Sequence, residues 1–262
     1  MKTLFLATAA VAALVAAPAF AQDSIGSVGL GYNNVKYDAG AADFTAESGK
    51  IDANFAVPVT DAWTVTVDGG FAYSYNGPEG ADNSNIDGAL HASTLFNDVR
   101  VGGFVGGQSI DSETVWAFGA EAQAYLDQMT LTGSVGYETL DGLDVDAWSV
   151  AADAAYFVTP ALRVNGGLGW STIDFGGSDN LDSWSANVGG EYQIASTPFS
   201  VVANYGYSEL EDVDLSINTL TVGFRYSFGG DLQARSRAGA DLGRTAASVG
   251  SITSIFAAPM VP

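Results

Sequence analysis

Cysteine is absent from this 262-residue chain, so neither disulfides nor thiolate-ligated metals can hold it together. Proline occurs only seven times, which speaks against a disordered chain. Past the N-terminus no apolar run approaches 18 residues, so no transmembrane helix is expected. Basic residues number nine against thirty acidic ones, a formal net charge of −21. Nucleic-acid binding needs clustered Lys and Arg, and such a surface repels it while attracting cations. Histidine occurs once, as His91, which leaves little for acid–base chemistry near neutral pH. Glycine, in contrast, is abundant at 32, as a chain with many turns and closely packed strands requires.

The chain opens with Lys2, an apolar run from Leu4 to Ala17, and the small-residue sequence Ala19-Phe20-Ala21. This pattern predicts a secretory signal peptide over 1–21, cut between Ala21 and Gln22, which takes no part in the fold. Between Gln22 and Phe228, 28 acidic residues face five basic ones, Lys36, Lys50, Arg100, Arg163 and Arg225. The acidity therefore belongs to that region, and the remainder, 229–262, is slightly basic through Arg235, Arg237 and Arg244.

Alternating apolar and polar residues, punctuated by turn formers, predict twelve strands over 24–35, 48–57, 62–75, 85–95, 99–108, 113–125, 129–138, 146–157, 161–172, 182–194, 198–208 and 217–228. Side chains alternate across a strand, so each segment offers one apolar and one polar face. The connections alternate too. Short turns such as Phe96-Asn97-Asp98 and Leu126-Asp127-Gln128 take turns with segments rich in Gly, Asp and Asn near 36–47, 76–84, 109–112, 139–145, 173–181 and 209–216. Trp116, Trp148, Trp170 and Trp184 fall on the apolar parity near one set of strand ends, and Trp63, Tyr156, Tyr192, Tyr226 and Phe228 near the other. A water-soluble β-sandwich would keep its aromatics in the core instead of sorting them toward strand ends. Two aromatic belts are what a membrane-spanning barrel shows.

The final strand carries the most specific pattern. Leu220, Val222, Phe224, Tyr226 and Phe228 make one apolar row, with Thr221, Gly223, Arg225 and Ser227 between them. Thr221, Gly223, Tyr226 and Phe228 together resemble the assembly signal that closes bacterial outer-membrane β-barrels of the small porin-like kind. In that family the aromatic usually ends the chain, whereas here 34 residues follow Phe228. The resemblance implies an all-β fold: one antiparallel, up-and-down transmembrane barrel of about 12 strands (10–12) over 22–228, integral to the outer membrane. It also implies contact with outer-membrane lipid, lipopolysaccharide and the barrel-assembly machinery. It names an architecture and no activity, and a homo-oligomer is compatible with it.

Inward parity collects Asp52, Asp68, His91, Arg100, Glu121, Asp153, Arg163, Glu191 and Arg225 near the short-turn end. These are the candidate pore-lining residues. They read either as a lumen that neutralises itself through salt bridges or as a charged constriction that selects solutes by sign. Many other inward positions are small, among them Gly70, Gly102, Gly119, Ala151, Gly167 and Gly189. Small residues cannot fill a twelve-stranded interior, so water or an inserted segment must occupy it.

Other chemistry finds little support. Ser93 shares the face of His91 two residues on, but no third member completes a triad, and a hydrogen-bonded lumen histidine is the plainer reading. Asn83 to Gly88 resembles the first half of an EF-hand loop, yet Thr94 stands where the bidentate glutamate belongs. The clusters Asp141/Asp144/Asp146, Asp174/Asp179/Asp182 and Glu209/Glu211/Asp212/Asp214 read as solvated acidic faces, with cation sharing against lipopolysaccharide phosphate as the alternative. No enzyme, cofactor or metal centre is expected. The expected function is a passive, cation-preferring channel for small polar solutes, and the rival is a closed structural or surface-interaction barrel working through acidic outer loops. The segment 229–262 is short for a folded domain. It is expected to be a disordered periplasmic tail, with a lumen plug and a cell-wall contact as the other options.

Overall fold

The computed structural model describes residues 24–40, 43–76, 84–110, 113–140, 144–177, 180–211 and 213–242. The expected signal peptide and its cut, the tail beyond residue 242, and Asp141, Asp179 and Asp212 lie outside these residues.

Twelve strands form one sheet: β1 (Ile25–Asp38), β2 (Asp43–Pro58), β3 (Trp63–Ser74), β4 (Ser84–Phe96), β5 (Val99–Ile110), β6 (Glu113–Tyr125), β7 (Met129–Leu140), β8 (Val145–Thr159), β9 (Leu162–Asp174), β10 (Asn180–Gln193), β11 (Phe199–Leu210) and β12 (Leu215–Phe228). Each pairs antiparallel with its sequence neighbours, and β1 pairs with β12, so the sheet closes into a barrel without edges. All twelve predicted strands are present.

The strands run further than expected at one end. β1 continues to Asp38 and β2 starts at Asp43, pairing Val35 with Ala46 and Tyr37 with Phe44 across a segment whose composition reads as loop. The cause is burial. Val35, Tyr37, Phe44 and Ala46 pack with Leu210, Leu215 and Ile217 in an apolar cluster inside the barrel, and this burial rewards continued pairing. The expected asymmetry between short turns and long loops is correspondingly smaller.

Outside, the surface suits hydrocarbon. Leu30 (61%), Leu168 (66%) and Val188 (58%) are among the large apolar side chains exposed around the wall. Trp116, Trp148, Trp170 and Trp184 are exposed toward one end, with Trp170 and Trp184 directly paired. Trp63, Tyr156, Tyr192 and Tyr226 are exposed toward the other, the end that carries both Ile25 and Phe228. We call this the terminal end. Phe228 is half-buried there, its ring 5.6 Å from Phe55. At Gly223 an added Cβ would lie 2.5 Å from the Leu30 carbonyl oxygen, so the closing β1–β12 seam needs glycine at this point.

Candidate functional site in the lumen

The chain does not leave the barrel after β12. Gly229 (φ 84°) and Gly230 (φ 134°) adopt backbone conformations that side chains disfavour, and there the chain reverses. A short helix α1 (Leu232–Arg237) follows, capped by the Asp231 carboxylate, which accepts from the Ala234 amide at 2.8 Å. Leu232 is buried against Ala155 and Phe157 of β8, and Ser236, Ala240 and Leu242 are buried as well. The expectation of a disordered tail is therefore corrected for residues 229–242. They fill the terminal end of the lumen, because the small inward residues leave space there and the wall supplies partners.

Those partners come from around the barrel. Asn54 of β2 donates to the Ala240 carbonyl at 2.8 Å, and Thr66 of β3 to the Gly239 carbonyl at 3.1 Å. Arg100 of β5 donates to the Arg237 carbonyl, and Thr130 of β7 shares a hydrogen bond with Ser236. The Arg237 guanidinium donates to the carbonyls of Leu126 and Asp127 in the β6–β7 turn, and Gln233 donates to Asp127 as well.

The predicted inward charges meet this segment. Glu191 is fully buried and accepts from three guanidiniums: Arg163 (3.0 Å) and Arg225 (3.1 Å) on Oε2, and Arg235 of α1 (3.1 Å) on Oε1. Arg163 also donates to Asp241 beyond α1, and Arg225 to Asp52, which Lys50 approaches from its other oxygen. A buried carboxylate is stable only when paired and hydrogen-bonded, and three cationic donors meet that need. On the opposite wall His91 lies between two carboxylates, Asp68 at 2.7 Å from Nε2 and Glu121 at 2.9 Å from Nδ1. Arg100 finds no carboxylate among the described residues. It donates to the Tyr125 hydroxyl and Ser93, and Tyr125 passes the chain on to Gln123 and Thr132. Ser93 is thus bound to Arg100, not to His91.

Eight of the nine predicted lumen residues enter these pairings, and Asp153 faces a cavity described below. What the sequence reading missed is the tail's share, Arg235, Ser236, Arg237 and Asp241. One signal pointed to it: Gly-Gly followed by two arginines, behind a strongly acidic barrel. Also missed is apolar packing inside the opposite end. Toward the opposite end Val115, Leu140, Val145, Ala147 and Ile173 form an inward apolar cluster that shares Leu181 with the cluster around Tyr37 and Leu210. At β4 and β5 the inner wall stays polar, where Gln108 donates to Asn85. Between the two filled regions lies a cavity of about 390 Å³, whose lining includes Asp153, Arg163, Asn165, Asn187, Asn204 and Arg225.

Among the described residues no group of three or more His, Asp or Glu side chains is arranged to hold a metal ion.

No protein-family profile matches the chain, and no curated relative matches it either. Solved structures do. An outer-membrane channel from Pseudomonas putida F1 is similar at 13% identity over 78% of this chain and 95% of that one, with a TM-score of 0.57. The translocator domain of the autotransporter NalP from Neisseria meningitidis matches at 12% identity over 85% and 98%, with a TM-score of 0.52. The β domain of the Bordetella autotransporter Brka matches at 12% over 79% and 100%, with a TM-score of 0.50. With a seam closed by β1 and β12, an apolar exterior between two aromatic belts and a polar, charge-paired interior, the chain has the fold of the bacterial outer-membrane β-barrels.

Proposed function

We propose that this protein is a non-enzymatic outer-membrane channel for small polar solutes, closed at its terminal end by its own C-terminal segment in the conformation described. The carrying observation is the seat of α1: it is held inside the lumen mainly by polar contacts to the wall, over a polar cavity. A segment fixed by hydrogen bonds and ion pairs can be released into water, which replaces them, far more readily than one fixed by a large apolar core. The terminal end faces the periplasm in this reading. Cation preference comes from the opposite rim, where Asp43, Asp144, Asp174, Glu211 and Asp214 are exposed, because the lumen carboxylates are already paired. The same rim offers carboxylates for divalent bridging to lipopolysaccharide, the β12 pattern serves recognition by the assembly machinery, and the apolar wall leaves room for a homo-oligomer.

Planar-bilayer recording tests this reading with the full chain and a chain ending at Phe228. The shortened chain should conduct steadily and reverse on the cation side in a salt gradient, and the full chain should conduct less. The second reading, a closed barrel acting through its acidic rim, is favoured by the apolar clusters opposite the terminal end. Silence from both chains would establish it in place of the channel.

A further inference from the structure

The cavity above the closed terminal end is built for a ligand. Three side-chain amides, Asn165, Asn187 and Asn204, line it. Each lies opposite a glycine of the next strand: Asn165 and Asn204 flank Gly189, and Asn187 lies between Gly167 and Gly206. The glycines set this arrangement. A Cβ at Gly189 would collide with Asn204 Oδ1, and one at Gly167 would lie 2.7 Å from Asn187 Nδ2. The amides therefore lie along the wall over bare backbone and leave the centre empty. None of the three makes a hydrogen bond to the described residues, so each presents an acceptor and two donors inward. Below them, Nε of Arg163 and of Arg225 are buried donors without a partner.

Charge narrows the chemistry. The charged side chains that line the cavity are Lys50, Asp153, Arg163 and Arg225. Behind them Asp52, Glu191 and Asp241 accept from the three cations, and Arg235 of α1 joins Glu191, so the paired network as a whole is four against four. A floor whose charges are already paired, beneath three amides without partners, offers an incoming ion no unanswered charge of opposite sign. It rewards a neutral molecule offering many hydroxyl groups, since each amide can both give and accept. The volume, about 390 Å³, falls within the range of small-molecule sites.

We propose that this cavity binds a neutral, polyhydroxylated solute of monosaccharide size, held by Asn165, Asn187 and Asn204 over the Arg163–Glu191–Arg225 floor. This deepens the channel reading and rests on it by naming the solute class. In this reading the solute approaches along the polar side chains of β4 and β5, such as Gln108 and Asn85, beside the apolar clusters.

The test is saturation-transfer NMR on the folded full chain in an amine-oxide detergent, which carries no sugar headgroup, with D-glucose, D-glucuronate and D-glucosamine as probes. Glucose should bind saturably, and neither charged sugar should bind more tightly. Two variants probe the site differently, each checked for heat-modifiable mobility. N187L/N204L removes the amides at similar volume. Gly206→Leu adds bulk where a Cβ meets nothing nearer than Thr219 Cβ at 4.0 Å, leaving the amides untouched. Each should weaken glucose binding at least tenfold. Absence of saturable glucose binding, undiminished binding in either variant, or tighter binding of a charged sugar would overturn the inference. Conductance without glucose binding would leave the channel standing and remove this site. Glucose binding without conductance in either chain would do the reverse.

Discussion

Arg235→Ala isolates what holds the C-terminal segment in place. The substitution deletes the donor to Glu191 Oε1 and to the Ser227 hydroxyl, both in a buried setting. Hydrogen bonds to charged groups contribute about 1.5–3 kcal/mol each. The loss falls short of two such bonds, because Glu191 keeps Arg163 and Arg225 on its other oxygen and is not left bare. A weakening of about 2–3 kcal/mol follows, which at 1.4 kcal/mol per tenfold raises the released population roughly thirty- to hundredfold. The chain's lack of cysteine provides a clean assay. Ser236 is fully buried beside Thr130, so Ser236→Cys is a thiol that reacts only when the segment leaves the lumen. Its labelling rate, normalised to the urea-unfolded chain, should rise by that factor on adding Arg235→Ala. Glu191→Ala should act more strongly, since it removes the one carboxylate that three guanidiniums share and leaves Arg235 with only the Ser227 hydroxyl, while Arg163 and Arg225 keep Asp241 and Asp52; breaking a buried pair in this way costs about 3–5 kcal/mol. Equal normalised rates with and without Arg235 would refute the ion-pair anchor. Labelling as fast as in the unfolded chain in both would mean that the segment is not seated at all.

Two further outcomes follow from the wall. His91→Ala leaves the buried Glu121 without its partner, and Glu121 Oε2 already lacks one, so the barrel should lose about 3–5 kcal/mol of stability, read as a lower urea midpoint of heat-modifiable mobility; Asp68→Asn should cost less, because Asp68 is part-exposed and its charge can be solvated. Gly223→Ala drives a methyl against the Leu30 carbonyl at the closing seam and should lower the yield of folded barrel in the outer membrane, whereas Gly206→Ala, with open space around it, should not; equal yields would show that the glycine of the β12 pattern is not required for closure.

Strand positions and side-chain parity were legible because alternation is a local property. Leu220, Val222, Phe224 and Tyr226 must share a face whatever the rest of the chain does, and the same period places Glu191, Arg163 and Arg225 inside. The aromatic belts follow from the same count. Composition misled at 36–47, where Asp and Gly suggested a loop and the inward burial of Tyr37 and Phe44 kept the strands paired. Parity assigns a face and says nothing about which inward groups meet. That depends on the stagger between strands, which brings Arg163, Arg225 and Arg235, at separations of 28, 34 and 44 residues, onto one carboxylate. The excess of small inward residues announced unfilled space, and only the closed barrel decided what fills it. Residues 229–242 carry too little apolar surface to fold alone and acquire a structure where the wall supplies Asn54, Thr66, Arg100 and Glu191 as partners. The sequence thus determined a membrane barrel with a charged interior. The tertiary structure decided that the interior is filled and cross-paired by the chain's own end, because pairing energies between distant groups exist only once the sheet has closed.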